Sequence, residues 1–200
     1  MKRSQATKEL TTPSLTLRPF KRRDVAPLME AVSASLSDLQ RWLPWAHAGY
    51  SRTDAIAFVR ESMSAWREGR AYDFMVRSTQ DPDRHLGNVS VWATNRTGLV
   101  GEIGYWVRSD EIGKGIATQA TARVTQLGFE ELGMHRLTLR IAVGNTSSER
   151  VAEKLGYARE GLLRQEVRVG GVWLDHTAWG LLRSEFETEQ FRYREEGWLK

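Results

Sequence analysis

The 200-residue chain contains no cysteine. That excludes a disulfide framework, a thiolate metal site and a cysteine nucleophile. It has no run near the roughly 18 consecutive apolar residues that a membrane-spanning helix needs. Its first residues, "MKRSQATKEL", carry positive charge with no apolar run behind it, so no signal peptide is expected. No internal repeat and no low-complexity segment interrupts the chain. No histidine pair or carboxylate cluster has metal-ligand spacing, so no catalytic metal is expected. These absences together predict a cytoplasmic protein with no membrane partner.

What remains is ordinary globular material, 40% hydrophobic and 27% charged, in a length that suits one domain with a real core. The net charge is +4. Its charges are interleaved, as in "LRPFKRRDV" and "FRYREEGW", which describes a mixed surface and makes nucleic acid an unexpected partner. A modest positive field also suits a small polyanionic ligand.

Periodicity divides the chain into elements. "LTLRPF" alternates as a strand that buries Leu15 and Leu17. Asp24 is placed to cap a helix through Val25, Leu28, Met29 and Val32. "SLSDLQRWLPWAHAGY" reads as a short helix broken by Pro44 and followed by an aromatic loop. Helical spacing returns from about Thr53 to Glu68, where Gly69 ends it. The period then becomes two: "AYDFMVRS", "LGNVSVWA" and "LVGEIGYWV" form an antiparallel meander. A glycine loop follows, then a helix to about Glu131, a buried strand "HRLTLRIAV", and a short helix in "NTSSERVAEKLGY". Two closing strands flank a hairpin at Gly170 and Gly171. The expectation is an α+β fold: one domain over residues 14–183, a central mixed and mostly antiparallel twisted sheet, and helices on both faces. A flexible segment 1–13 and a charged tail 184–200 flank it.

The loop "EIGKGIATQA" places Gly113 and Gly115 at the mouth of a helix. The first turn of a helix presents unpaired N–H groups and about half a positive charge. Glycine lets a ligand approach that backbone closely. The segment Ile112, Gly113, Lys114, Gly115, Ile116, Ala117 therefore suits a pyrophosphate, with Lys114 adding charge. Ala117, Thr118, Ala120 and Thr121 keep the helix surface slim. The pattern is neither a P-loop, since Ile116 follows Gly115, nor a dinucleotide fingerprint. Taken alone it also fits a plain turn.

The order "GEIGYWV", glycine loop, "HRLTLRIAVGNTSSERVAEKLGYAREG" and closing hairpin resembles the GNAT superfamily of acetyl-CoA-dependent N-acetyltransferases. More closely it resembles the RimJ/RimL-like branch that acetylates ribosomal-protein N-termini, over about Leu15 to Leu182. The superfamily phosphate motif is Gln/Arg-x-x-Gly-x-Gly/Ala. Gly115 and Ala117 match it, while Ile112 stands where the pattern asks for a polar side chain. The resemblance implies direct acyl transfer from acetyl-CoA to a primary amine, a protein N-terminus or a small molecule. It leaves open a larger donor such as succinyl-CoA, a non-catalytic acyl-CoA sensor, and a homodimer as a possible assembly.

Such chemistry needs a neutral amine, a stabilised oxyanion and a protonated leaving thiolate. An α-amine, with its pKa near 7.7–8.0, is already neutral in roughly a tenth or more of molecules at pH 7. A modest base then suffices. Glu102 is the candidate base, on the strand face of Val100, Gly104 and Trp106. The resemblance puts the substrate amine against this strand and the thioester carbonyl on the main chain from Tyr105 through Trp106 to Val107, where an N–H serves the oxyanion. In "NTSSER", Thr146 and Glu149 spell a capping box. The resemblance instead pairs Asn145 with the pantetheine arm and makes Ser148 the proton donor, ahead of Tyr157. Asp175 is a candidate partner for an ammonium substrate, whereas His176 reads first as a packed residue. Trp42 and Trp45 are candidates for a wall of the acceptor groove.

Overall fold

A computed structural model describes residues 9–200. Eight strands form one sheet: β1 (Leu10–Thr11), β2 (Leu15–Pro19), β3 (Ala71–Ser78), β4 (Gly87–Asn95), β5 (Val100–Val107), β6 (Arg136–Ala142), β7 (Ala158–Val169) and β8 (Val172–Leu182). Their spatial order is β1-β2-β3-β4-β5-β6-β8-β7. Every pair is antiparallel except β5 and β6. A parallel neighbour requires a crossover, here through helix α3 (Ile116–Gln126), which continues into a π-turn at Leu127–Glu131.

Alternation along the strands sends side chains to two different cores. Ile103, Leu137, Leu139 and Ile141 face α3, α4 (Thr146–Lys154) and α5 (Arg183–Glu195), where Val124, Val151 and Phe186 meet them. On the opposite face Met75 and Trp106 pack against α1 (Val25–Leu39) and α2 (Arg52–Glu68) through Leu28, Val32 and Val59. The sheet is thus covered on both sides, as the period-two pattern with intervening helices predicts.

Three local expectations change. Helix α1 runs unbroken to Leu39, so "SLSDL" completes it rather than starting a second helix. Asp24 does not cap α1 through its side chain: its carboxylate takes two 2.7 Å hydrogen bonds from Arg18 and one of 2.6 Å from the Lys21 N–H. A buried guanidinium outcompetes the helix terminus because the pair is bidentate and shielded from water. At the chain ends, residues 1–8 of the expected flexible segment lie outside the described residues. Leu10 of β1 is buried opposite Leu17. Within segment 184–200, α5 puts Phe186 and Tyr193 into the core.

Candidate active site

Strands β5 and β6 pair only from Val100 opposite Arg136 to Glu102 opposite Thr138. Beyond Glu102 they diverge, while β5 stays paired to β4 as far as Val107. The Arg108 N–H bonds back to Leu86 beside β4. Backbone direction alternates along a strand, so the N–H and C=O groups of Tyr105 and Val107 point the other way, into the gap. The Gly101 carbonyl, which accepts from the Thr138 hydroxyl of β6, has the same parity. Strand divergence thus exposes donors that a continuous sheet would consume, and donors held in place are what a developing oxyanion requires.

Two cavities meet there. A cleft of about 700 Å³ runs from the glycine loop, past Tyr105 to Val107, to the start of α4. A smaller cavity of about 120 Å³ lies between the diverging strands. Trp42, Leu43, Tyr105, Asn145 and Ser148 line both.

The glycine loop forms one wall of the larger cleft. Gly113 and Gly115 have φ of +85° and +78°. That backbone costs a side-chain-bearing residue about 1–2 kcal/mol. A Cβ built on either glycine would meet nothing within 4 Å. Conformation and open space, rather than internal crowding, account for these glycines. Gly115 is the residue before α3, so the first-turn amides of Ile116, Ala117 and Thr118 open on the cleft. Ile112 lines the cleft and is more than half exposed, so an apolar contact stands at that motif position. Lys114 bonds Glu111, a residue of the cleft wall, at 2.9 Å. The loop is tied to α1 by Arg108, which pairs with Glu30, and by the Ser109 N–H, which donates to Ser35.

Across the cleft Asn145 precedes α4 and its side chain accepts the Ser148 N–H at 3.2 Å. The cap is therefore Asn145, not the expected Thr146, because Gly144 turns the chain one residue earlier. The cap leaves the Ser148 hydroxyl 2.8 Å from that of Tyr105. Burial pushes the Tyr105 phenol well above its ordinary range, against the pull of the Ser148 hydrogen bond. Tyr157 is buried away from both cavities, its hydroxyl bonded to Thr125.

On the α1/α2 face a row of charged groups crosses the sheet. Glu102 lies 2.8 Å from Arg140, which also binds Glu166 at 2.5 Å. Burial raises the pKa of Glu102, opposed by the Arg140 guanidinium. Glu102 lines neither cavity, whereas Arg140 and His176 line the smaller one. Asp175 lines neither; its carboxylate accepts the Gln165 N–H at 2.8 Å, where β7 slips register against β8. Trp42 lines both cavities, while Trp45 stacks toward Tyr50 and Trp106 at 5.9 and 6.1 Å. Sequence reasoning passed over the Tyr105 hydroxyl and Arg140. Arg140 had a signal: it is the charged residue midway along the apolar strand "LTLRIA". Among the described residues no group of three or more acidic or histidine side chains is arranged to hold a metal ion.

The divergent parallel pair, the glycine loop at a helix start and the capped helix opposite define an acyl-CoA-dependent transferase. The family model described as the acetyltransferase (GNAT) domain matches residues 14–158, and the chain belongs to that family. The probable N-acetyltransferase YjcK of Bacillus subtilis is 34% identical over 130 residues, 64% of this chain and 71% of that protein. The ribosomal-protein-serine acetyltransferase of Escherichia coli is 27% identical over 152 residues, 76% and 83% of the two chains. RimJ of Mycobacterium smegmatis, solved in complex with CoA-disulfide, superposes with a TM-score of 0.83 at 27% identity, covering 94% of this chain and 93% of RimJ. The open cleft, with unpaired first-turn amides and no Cβ at Gly113 or Gly115 to obstruct it, fits the pyrophosphate and arm of acyl-CoA.

Proposed function

We propose that the chain transfers an acetyl group from acetyl-CoA to the α-amine of a protein or peptide N-terminus. The observation that carries this reading is the opening of β5 from β6 beyond Glu102. It brings the glycine-loop cleft and the small cavity together at Tyr105 and Ser148. In this reading the amides from Gly113 to Thr118 hold the pyrophosphate and Asn145 borders the arm. The outward N–H groups of β5 meet the thioester carbonyl, and the Ser148–Tyr105 hydroxyl pair protonates the departing sulfur.

One feature favours an α-amine acceptor. Glu102 and Glu166 share a single Arg140, so the row carries one surplus negative charge beneath the cavity. That charge draws in the ammonium form of an acceptor, and an α-amine then needs little help to lose its proton. A cavity of about 120 Å³ has room for an acetyl group. The name of the Escherichia coli relative, a ribosomal-protein-serine acetyltransferase, points to a serine of a ribosomal protein as the acceptor class.

The test is to incubate the protein with acetyl-CoA and peptides beginning with Ser, Ala or Met, beside N-blocked peptides carrying lysine. Thiol release and product mass are followed. Acetylation at the free N-terminus is expected. Modification confined to lysine, or none on any peptide, would overturn the assignment.

A further inference from the structure

We propose that His176, oriented by Glu166, is the group that takes the proton from the attacking amine. The inference rests on the acyl-transfer reading above and names a residue that the sequence pattern left as packing.

His176 lies on β8 opposite Ala142 of β6 and Leu163 of β7. That register puts it on the same sheet face as Arg140 and Glu102, the face covered by α1 and α2. It lines the small cavity together with Tyr105 and Ser148. The residue is 6% exposed, yet its Nδ1 has no hydrogen-bond partner. Buried polar atoms are nearly always satisfied, so an inaccessible Nδ1 has to find its partner within the fold and not in the cavity. Oε2 of Glu166 lies 3.9 Å away and is likewise without a hydrogen-bond partner. The other oxygen of Glu166 is fixed by Arg140. A carboxylate anchored by Arg140 and 3.9 Å from Nδ1 needs only a small approach to make the hydrogen bond that selects the imidazole tautomer protonated at Nδ1 and leaves Nε2 to accept a proton.

The charged and titratable groups around the ring support that assignment. Glu166 comes from β7 and Arg140 from β6, and Glu102 of β5 is paired to Arg140. Tyr105 of β5 and Ser148 of α4 stand across the cavity, already engaged with each other. Asp175, the sequence neighbour, is occupied by the Gln165 N–H. Glu102 lines neither cavity, so His176 is better placed than the expected base to meet an amine.

The proton balance closes. The nitrogen lone pair forms the C–N bond while the carbonyl π pair moves to oxygen, facing the β5 N–H groups. Nε2 of His176 takes one proton from nitrogen. The oxygen pair returns, the C–S bond breaks with its electrons on sulfur, and the Ser148–Tyr105 pair supplies a proton to it. The proton on His176 passes to solvent and an equal one restores the hydroxyl pair.

The test uses the full chain, acetyl-CoA and a serine-initiated peptide, with donor binding measured separately by calorimetry. His176→Gln should lower kcat about 100-fold with the acetyl-CoA Kd within about twofold. The acidic limb of its kcat/KM profile against pH should lose one ionisation. Added imidazole should restore part of the activity of His176→Ala, which a packing role would not allow. Glu166→Gln should fall between, with a displaced limb. A His176→Gln enzyme within about threefold of wild type with an unchanged profile overturns the inference. So does an imidazole-insensitive His176→Ala that still binds acetyl-CoA, and so does loss of donor binding in both variants. Wild-type protein that acetylates no amine overturns the acyl-transfer reading itself.

Discussion

The hydroxyls of Tyr105 and Ser148 lie 2.8 Å apart, at the point where β5 has left β6 and α4 begins. Neither side chain is placed by its own element alone. Tyr105 is on the α3/α4 face of β5, and Ser148 is held by the Asn145 cap. Removing either hydroxyl should slow protonation of the leaving sulfur more than it weakens donor binding. Ser148→Ala and Tyr105→Phe are each expected to lower kcat about 10- to 100-fold with the acetyl-CoA Kd within about threefold. Steady-state kinetics beside calorimetry checks this. A rise in Kd with kcat unchanged would mark Ser148 as a cap or binding residue.

Gly115→Ala tests the loop. The residue sits at φ +78° with open space where a methyl group would project, so strain is the structural cost, about 1–2 kcal/mol. The methyl also stands where a pyrophosphate must approach, and acetyl-CoA affinity should fall about tenfold or more. Ile112→Arg should act the other way, tightening binding in low salt and losing the gain as salt rises. A thermal-shift series with CoA at two ionic strengths reads both. An Ile112→Arg gain that ignores salt would contradict an electrostatic contact.

Glu102→Gln removes one of two carboxylates that share Arg140 while Glu166 keeps the guanidinium paired. The surplus negative charge disappears, so KM for a peptide acceptor should rise about tenfold with donor affinity unchanged. Because burial raises the Glu102 pKa, its ionised form is unfavourable in the folded state. Its contribution to stability is present below its unfolded pKa and is lost as pH rises through the folded value. The variant should therefore gain relative stability on going from acidic to neutral pH. Melting curves from pH 4 to 8 decide the sign.

Trp42 and Trp45 should separate. Trp42→Ala, on the cavity walls, is expected to raise acceptor KM about tenfold with little change in melting temperature. Trp45→Ala, stacked on Tyr50 and Trp106, should mainly lower stability. Equal kinetic effects from the two variants would remove the distinction.

Alkaline pH should unfold the protein through its tyrosines. Burial pushes Tyr50 up to about 12. It also raises Tyr105, Tyr157 and Tyr193 far above the ordinary phenol value. The neutral forms are favoured by folding, so this stability is complete below about pH 10 and lost as pH rises beyond it. Melting temperature should drop steeply above that point. A flat profile to pH 11 would show that these phenols are not buried in solution.

Much of the fold could be read from periodicity. "AYDFMVRS" and "VWLDHTAWGLL" became strands at the predicted residues, Gly69 closed α2, and the meander before the glycine loop formed as expected. These features are local: alternation and a left-handed cap depend on residues a few positions apart. Helix α1 started at Val25 as expected but ran on to Leu39, and the side-chain caps of α1 and α4 changed because other partners chose them, Arg18 taking Asp24 from one helix and Gly144 shifting the turn before the other.

The sequence by itself determined that a flexible, glycine-bearing turn opens a slim helix, and that a strand and a capped helix flank it in the family's order. Composition excluded cysteine chemistry. Only the tertiary structure decided which groups meet. Strand divergence after Glu102 is a property of two strands far apart in the chain, and it turns the β5 amides into free donors. The Glu102–Arg140–Glu166–His176 row spans four strands, so no spacing in the chain announces it. The Tyr105–Ser148 pair joins residues 43 positions apart. Chain order records what neighbours along the backbone can do; which side chains share a cavity is set by the sheet register that the whole core selects.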